Sequence, residues 1–152
     1  MKKKSLGQHF LKSRTAIAKI ISAAEIVPKE TILEVGPGTG VLTEALLAAG
    51  ARLIIVEKDA RLAEFLKSIK FIESIKSGQL TLVRGDILDQ KTLQTLQTFN
   101  FTNYKLVANL PYYLTGKFLR LFLEELPNPP VRLVLMLQKE VADRILARDG
   151  AE

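Results

Sequence analysis

The sequence contains no cysteine, no tryptophan and only one histidine, His9, in 152 residues. Without cysteine the chain forms no disulfide and has no thiolate for a zinc or iron–sulfur site. A lone histidine also leaves a histidine-based catalytic triad or metal site without its partners. We therefore expect no metal ion, and the absence of cysteine favours a reducing compartment, the cytoplasm.

Long apolar runs are absent as well. No stretch reaches the roughly 18 apolar residues that a membrane-spanning helix requires. The basic start at residues 2–4 is followed by polar residues where a signal peptide would be apolar. We expect no membrane partner. The formal net charge is +6 and the pI about 9.6, which favours a polyanionic partner such as nucleic acid.

Short apolar runs alternate with amphipathic segments along the chain. The runs predict strands at residues 31–35, 52–56, 80–83, 104–108 and 132–137. The 3.6-residue periodicity predicts helices at residues 14–25, 41–49, 60–70, 91–97, 115–125 and from about 140. The apolar residues expected on the buried faces of the third and fifth of these helices are Leu62, Phe65, Leu66, Ile69, Phe118, Leu119, Phe122 and Leu123. Ser13 is the expected N-cap of the first helix and Pro28 its expected end. This alternation is typical of an α/β fold with a parallel sheet.

A glycine-rich loop, EVGPGTG at residues 34–40, follows the first predicted strand and precedes a helix. Gly36, Gly38 and Gly40 let the backbone turn sharply and approach a ligand closely. The dinucleotide fingerprint would need a glycine in place of Val41. The pattern therefore fits a nucleoside with an amino-acid tail better than a pyrophosphate. The alternative interpretation is an ordinary strand-to-helix turn.

Acidic residues end the next two strands. Glu57 lies about 20 residues beyond Gly36, the spacing at which a carboxylate accepts hydrogen bonds from ribose hydroxyls. Asp86 ends the third strand, where it can accept a hydrogen bond from the amino group of the ligand's adenine. The alternatives are a solvated carboxylate at Glu57 and a turn-forming aspartate at Asp86. Both positions fall at carboxyl ends of strands, where open α/β sheets bind ligands.

The fourth strand leads into Asn109, Leu110, Pro111 and Tyr112. The amino nitrogen of adenine is a poor nucleophile because its lone pair is delocalised into the ring. The Asn109 side-chain oxygen and a backbone carbonyl at 110–111 can accept both amine hydrogens and favour a tetrahedral nitrogen in the transition state. Pro111 stiffens this loop, and Tyr112 can stack on an extruded base. The alternative is an Asn–Pro turn with Tyr112 and Tyr113 packed in the core.

In these motifs the sequence resembles the KsgA family of small-subunit ribosomal RNA adenine dimethyltransferases. The resemblance rests on GQHFL at 7–11, the glycine loop, Glu57, Asp86, NLPY at 109–112 and LQKEVADR at 137–144. It implies a Rossmann-like, S-adenosylmethionine-dependent methyltransferase fold. It also implies transfer of methyl groups to the N6 amino groups of two adjacent adenosines in 16S rRNA, in aid of ribosome biogenesis. The implied partner is the immature small ribosomal subunit.

The resemblance also implies roles for individual residues. The expected cofactor contacts are Gln8, His9, Leu11, Gly36, Gly38, Gly40, Glu57, Asp86 and Asn109. Lys117 and Arg120, which follow the proposed target loop in sequence, are expected to contact RNA phosphate.

Two departures from the family pattern are expected. The sequence predicts about five of the seven strands usual in this fold, and the family's C-terminal helical, RNA-engaging domain is absent. Residues 1–152 are therefore expected to form an incomplete cofactor-binding domain with little activity of its own. The alternatives are an antibiotic-resistance type of large-subunit rRNA methyltransferase and a non-catalytic RNA-binding or transcription-factor relative. A DNA adenine methyltransferase is less favoured because such enzymes usually have proline at the position of Leu110.

Overall fold

A five-stranded sheet organises the computed structural model, which describes residues 13–68, 70–99 and 102–147. The strands are β1 Thr31–Val35, β2 Arg52–Glu57, β3 Leu80–Arg84, β4 Lys105–Asn109 and β5 Arg132–Met136. The helices are α1 Arg14–Ala24, α2 Val41–Ala48, α3 Ala60–Lys67, α4 Ile72–Lys76, α5 Gln90–Gln97, α6 Thr115–Arg120 and α7 Lys139–Leu146. A 3₁₀ turn, Tyr112–Leu114, precedes α6, and a π-helical turn, Leu121–Glu125, follows it.

The sheet order is β3-β2-β1-β4-β5, and every neighbouring pair is parallel. The chain steps outward from β1 through β2 to β3 and then continues on the other side of β1 with β4. Val35 in β1 therefore lies between Val56 of β2 and Ala108 of β4. Such a reversal opens a crevice at the carboxyl ends of the strands. The predicted parallel α/β fold is confirmed.

Two hydrophobic clusters lie on the two faces of the sheet. Successive strand residues point to opposite faces, so Ile32 and Leu33 belong to different clusters. Leu33 packs with Phe118 and Phe122, on the face that α5 and α6 cover. Ile32 packs with Leu46, on the face that α1, α2 and α3 cover. Because both faces are buried, the central strands consist of nearly continuous apolar residues.

Helix α1 begins as predicted but ends earlier. The Ser13 hydroxyl accepts a hydrogen bond from the Ala16 amide. The helix stops at Ala24, one residue before the predicted end at residue 25, because Glu25 adopts a left-handed conformation with φ 45°. Pro28, the expected stop signal, lies beyond this end. Lys105 Nζ donates to the Glu25 carbonyl oxygen over 2.6 Å, which satisfies one of the carbonyls left open at the helix end.

The segment after α3 differs from the prediction. The helix ends at Lys67 instead of residue 70 because Ser68 is extended, and the separate helix α4 was not predicted. Phe65, expected on the buried face, is 48% exposed. Leu66 is buried as expected, together with Ala63, which was not predicted. Ile69, also expected on that face, lies outside the described residues.

The predicted helix at residues 115–125 is α-helical only over Thr115–Arg120 and π-helical over Leu121–Glu125. Phe118 and Phe122 are buried as expected, with ring centroids 4.7 Å apart. Leu123, expected in the core, is exposed. The hydrogen bonds of a π turn span five residues instead of four, so α-helical spacing no longer keeps Leu123 on the buried face. None of the described helices is long and apolar enough to cross a bilayer.

Candidate active site

The predicted site residues on four strands meet at one edge of the sheet. The glycine loop follows β1, Glu57 is the last residue of β2, Asp86 lies just beyond β3 and Asn109 ends β4. Since all four strands run in the same direction, their carboxyl ends lie side by side. The sequence placed Asn109 after its strand, whereas the structure makes it the last paired residue, opposite Met136 of β5.

All three glycines of the loop have left-handed backbone, and two of them also lie near residues from other parts of the chain. Gly36 has φ 68°, and a Cβ there would lie 3.8 Å from the Asn109 carbonyl oxygen, so the loop passes close to the end of β4. Gly40 has φ 83°, and a Cβ there would lie 2.5 Å from a ring carbon of Phe71. Side chains at these positions are therefore strained or excluded.

Glu57 is a buried carboxylate held by backbone amides. Its side chain is only 5% exposed. One oxygen accepts from the Asp59 amide over 2.8 Å, and the other accepts from the Gly38 amide over 3.3 Å. Burial raises the pKa of Glu57, and these two amides partly offset the increase. The carboxylate thus links β2 directly to the glycine loop, which the alternative of a solvated strand-end residue does not describe.

Glu34 is a second buried acid at this edge that the sequence analysis did not single out. It is 1% exposed, and one carboxyl oxygen accepts from the Thr43 hydroxyl over 2.7 Å. Burial raises its pKa to about 8, the Thr43 hydrogen bond opposes the rise, and the charge of Glu57 adds to it. Glu34 is therefore mostly protonated at neutral pH. The available signal was an acidic residue inside an otherwise apolar strand.

Asp86 forms a local turn and an ion pair at the same time. One oxygen accepts from the Leu88 amide over 3.0 Å, so the turn-forming alternative is correct in its geometry. The other oxygen lies 2.8 Å from Lys58 Nζ. Burial would raise the pKa of Asp86, but the hydrogen bonds from Lys58 and Leu88 lower it overall. Asp86 is therefore an ionised acceptor at neutral pH.

The segment after β4 presents its aromatic side chains to solvent. Leu110 is buried, while Tyr112 is 60% and Tyr113 54% exposed. The two rings meet edge to face, with centroids 6.0 Å apart. The alternative in which both tyrosines pack in the core is wrong. Pro111 precedes a tight turn closed by a hydrogen bond from the Leu114 amide to the Pro111 carbonyl oxygen.

The structure describes only some of the remaining predicted site residues. Lys117 and Arg120 are exposed on α6, directly after the Tyr112–Leu114 turn. Gln8, His9 and Leu11 lie outside the described residues. Within the described ranges no three histidine, aspartate or glutamate side chains are grouped to hold a metal ion.

Two cavities lie away from this edge. One of about 420 Å³ is bounded by α3, α4 and the first residues of β3. The other, of about 210 Å³, is bounded by α5, the π turn and Tyr104. Neither contains a predicted site residue.

The whole chain, residues 1–152, matches the model of a family described as ribosomal RNA adenine dimethylase. The chain belongs to this family. The predicted resemblance is thereby confirmed.

Relatives and solved structures of the same kind agree with the family match. The chain is 44% identical over 149 residues to the ribosomal RNA small subunit methyltransferase A of Dehalococcoides mccartyi, covering 97% of this chain and 48% of that protein. A dimethyladenosine transferase from Plasmodium falciparum superposes with TM-score 0.71 at 30% identity, covering 92% and 47% of the two chains. The 23S rRNA methyltransferase ErmE superposes with TM-score 0.67 at 28% identity, covering 89% and 50%.

These similarities identify the fold as the Rossmann-like fold of S-adenosylmethionine-dependent methyltransferases, as the sequence predicted. The chain spans about half the length of the relative from Dehalococcoides mccartyi, 48% of it.

Proposed function

We propose that this chain is the cofactor-binding part of an enzyme that transfers methyl groups from S-adenosylmethionine to the N6 amino groups of two adjacent adenosines in small-subunit rRNA. The observation that carries the proposal is the meeting of the glycine loop, Glu57, Asp86 and Asn109 at one sheet edge. The family supports the reaction type, and the similarity to a small-subunit methyltransferase at 44% identity supports the substrate.

The residues at this edge fit the proposed cofactor. The backbone at Gly36 has no side chain to obstruct a ligand, and Asn109 stands beside it. Glu57 keeps lone pairs that can accept from two ribose hydroxyls, and Asp86 can accept from the adenine amine. The resemblance adds five further contacts to the proposed cofactor, at Gln8, His9, Leu11, Gly38 and Gly40. When bound, the cofactor supplies an electrophilic methyl group on a sulfonium sulfur.

Asn109 and its neighbours prepare the target amine. The Asn109 side-chain oxygen accepts one amine hydrogen, and a backbone carbonyl at Leu110 or Pro111 accepts the other. Positive charge develops on the nitrogen as it forms its new bond, so both acceptors bind the transition state more strongly than the ground state. Water takes the proton that the nitrogen loses. No dedicated base is needed because a methylated, positively charged amine is acidic.

The exposed residues beyond β4 suit an RNA substrate. Tyr112 offers an open ring face on which an extruded adenine can stack. Lys117 and Arg120 extend from the next helix and can contact the flanking phosphates. We propose the immature small ribosomal subunit as the physiological partner. We propose that further RNA contacts come from a region corresponding to the part of the Dehalococcoides relative that this chain does not match.

The test has two parts. Calorimetry on this chain should show saturable binding of S-adenosylmethionine, since the proposed cofactor residues at the sheet edge are present. A chimera that joins residues 1–152 to the second half of the Dehalococcoides relative should label unmethylated small subunits from methyl-labelled cofactor. Large subunits serve as the matched control substrate. Labelling of large subunits instead would favour the antibiotic-resistance type of enzyme, and absence of cofactor binding would show the proposal to be wrong.

A further inference from the structure

A lysine side chain occupies the acceptor that the proposed function assigns to adenine. Lys58 follows the last residue of β2, and its ammonium lies 2.8 Å from an Asp86 carboxyl oxygen beyond β3. The other Asp86 oxygen accepts from the Leu88 amide. Each oxygen of this carboxylate therefore already has a donor, and an adenine amine must either share an oxygen with the Lys58 ammonium or displace it. The Lys58 side chain is 76% exposed, whereas that of Asp86 is 24% exposed.

We propose that Lys58 competes with the adenine of the cofactor for Asp86, and thereby sets both the affinity for adenine ligands and its dependence on salt. The inference rests on the proposed function, because it takes Asp86 as the adenine acceptor. Asp86 and Lys58 follow the ends of the neighbouring strands β3 and β2, and the lysine ammonium lies directly against the carboxylate.

The competition is unequal because the two donors differ in solvation. An ion pair with a largely exposed lysine stabilises little, since water solvates the free ammonium almost as well. A hydrogen bond from a bound ligand to a charged, partly buried acceptor is stronger. Adenine can therefore displace the lysine, at the expense of the ion pair. An exposed ion pair lowers the apparent affinity by at most about fivefold.

The turn at Asp86 does not depend on the lysine. The Leu88 amide holds one carboxyl oxygen, and the Gly85 amide donates to the Glu57 carbonyl oxygen over 3.0 Å. Removing the ammonium should therefore leave the acceptor in place. Besides the hydrogen bond to Asp86, the charge of Asp89 also raises the pKa of Lys58, so a second carboxylate favours the ammonium in this part of the molecule.

The test compares Lys58→Met with wild type. Methionine keeps a long flexible stem and removes the charge. Lys76→Met is the matched control, because Lys76 is 65% exposed, pairs with Glu73 over 3.5 Å and lies on α4 away from the site. The probes are adenosine, which is uncharged, and S-adenosylhomocysteine.

In low salt we expect Lys58→Met to bind both probes up to about fivefold more tightly than wild type, with Lys76→Met unchanged. Raising the salt to about 0.5 M should tighten wild-type binding of adenosine, because salt screens the competing pair, and should not tighten Lys58→Met. In an Asp86→Asn background the gain from Lys58→Met should vanish.

Three results would overturn the inference. Unchanged or weaker binding by Lys58→Met would show that the lysine does not compete. A gain that persists in the Asp86→Asn background would assign the effect to packing of the methionine. Failure of the wild-type chain to bind S-adenosylmethionine or adenosine would overturn the proposed function as well. Normal binding that Glu57→Ala weakens and Lys58→Met leaves unchanged would remove only the present inference.

Discussion

Buried ionisable side chains have different kinds of partner at the two ends of the sheet. At the amino end, Lys105 is 9% exposed and donates to the Glu25 carbonyl and to a Glu30 carboxyl oxygen 2.8 Å away. At the carboxyl end, Glu34 and Glu57 are still more deeply buried. Glu34 accepts a hydrogen bond from a hydroxyl, and Glu57 accepts hydrogen bonds from two backbone amides. The amino end thus compensates its buried charge with opposite charge, whereas the carboxyl end leaves its acids dependent on neutral donors.

We interpret the difference through the proposed function, in which the carboxyl edge binds a ligand and the amino end contributes only to stability. A buried charge that has its counterion and hydrogen bonds holds the elements around it together. Lys105 in this way joins the start of β4 to the end of α1. Buried acids without a counterion make the folded state less stable and are typical of binding and catalytic sites. The carboxyl edge is the place where a bound ligand would offset that cost.

The largest expected effect is on the pH dependence of stability, through Glu34. Its pKa is raised from 4.5 to about 8, so the folded chain keeps this proton at pH values where the unfolded chain has lost it. The free energy of unfolding should fall as the pH rises from about 4.5 to about 8, by on the order of 3–4 kcal/mol.

The check is urea denaturation of wild type and Glu34→Gln across this pH range. The variant should lose most of the slope, because glutamine is neutral throughout and can still accept from Thr43. Thr43→Val is the companion variant, which removes the donor and keeps the acid. An equal slope in wild type and Glu34→Gln would contradict the assignment.

Asn109→Ala should have the next largest effect, on turnover. In the chimera it should lower the rate of methyl transfer by about 100-fold or more, by analogy with the loss of one oxyanion-hole donor. Cofactor affinity should change much less, because the side chain is proposed to act on the target amine in the transition state. Single-turnover assays on small subunits, with affinity measured in parallel, give both quantities. Near-normal turnover would refute the lone-pair mechanism.

Lys105→Met tests the amino end. It leaves Glu30 without its cation and the Glu25 carbonyl without its donor, so the free energy of unfolding should fall by about 2 kcal/mol. The Kd for S-adenosylmethionine should stay unchanged, since the two ends of the sheet are separate. Chemical denaturation and calorimetry measure the two quantities. A clear loss of affinity in a folded variant would break the distinction between the ends.

Glu57→Gln should show the reverse pattern and the smallest effect. Replacing the buried carboxylate by an amide removes the cost of burying charge but leaves one of the two backbone amides without its acceptor, so stability should change little. Affinity for S-adenosylmethionine should fall by about 1–2 kcal/mol, because ribose hydroxyls bond more strongly to a charged acceptor. The measurements are those used for Lys105→Met. Unchanged affinity would remove Glu57 from the proposed ribose site.

Much of the fold was predictable because its signals are local. The strand predicted at residues 31–35 is observed as Thr31–Val35. A short, mostly apolar run that ends at a glycine is typical of a strand buried on both faces of a parallel sheet. The prediction failed where no residue marks the change of backbone. The extended Ser68 ends α3 before the separate helix α4, and residues 121–125 are π-helical, yet neither segment contains the proline or glycine that signals a helix end in a sequence.

The motifs of the candidate site were equally visible, but their electrostatic states were not. A glycine spacing, two acidic strand ends and an Asn–Leu–Pro–Tyr segment are properties of the chain itself, because each requires particular residues at particular positions. These motifs do not reveal that burial raises the pKa of Glu34 or that Lys58 forms an ion pair with Asp86. Burial and pairing depend on which strands become neighbours, and only the order β3-β2-β1-β4-β5 brings those groups together.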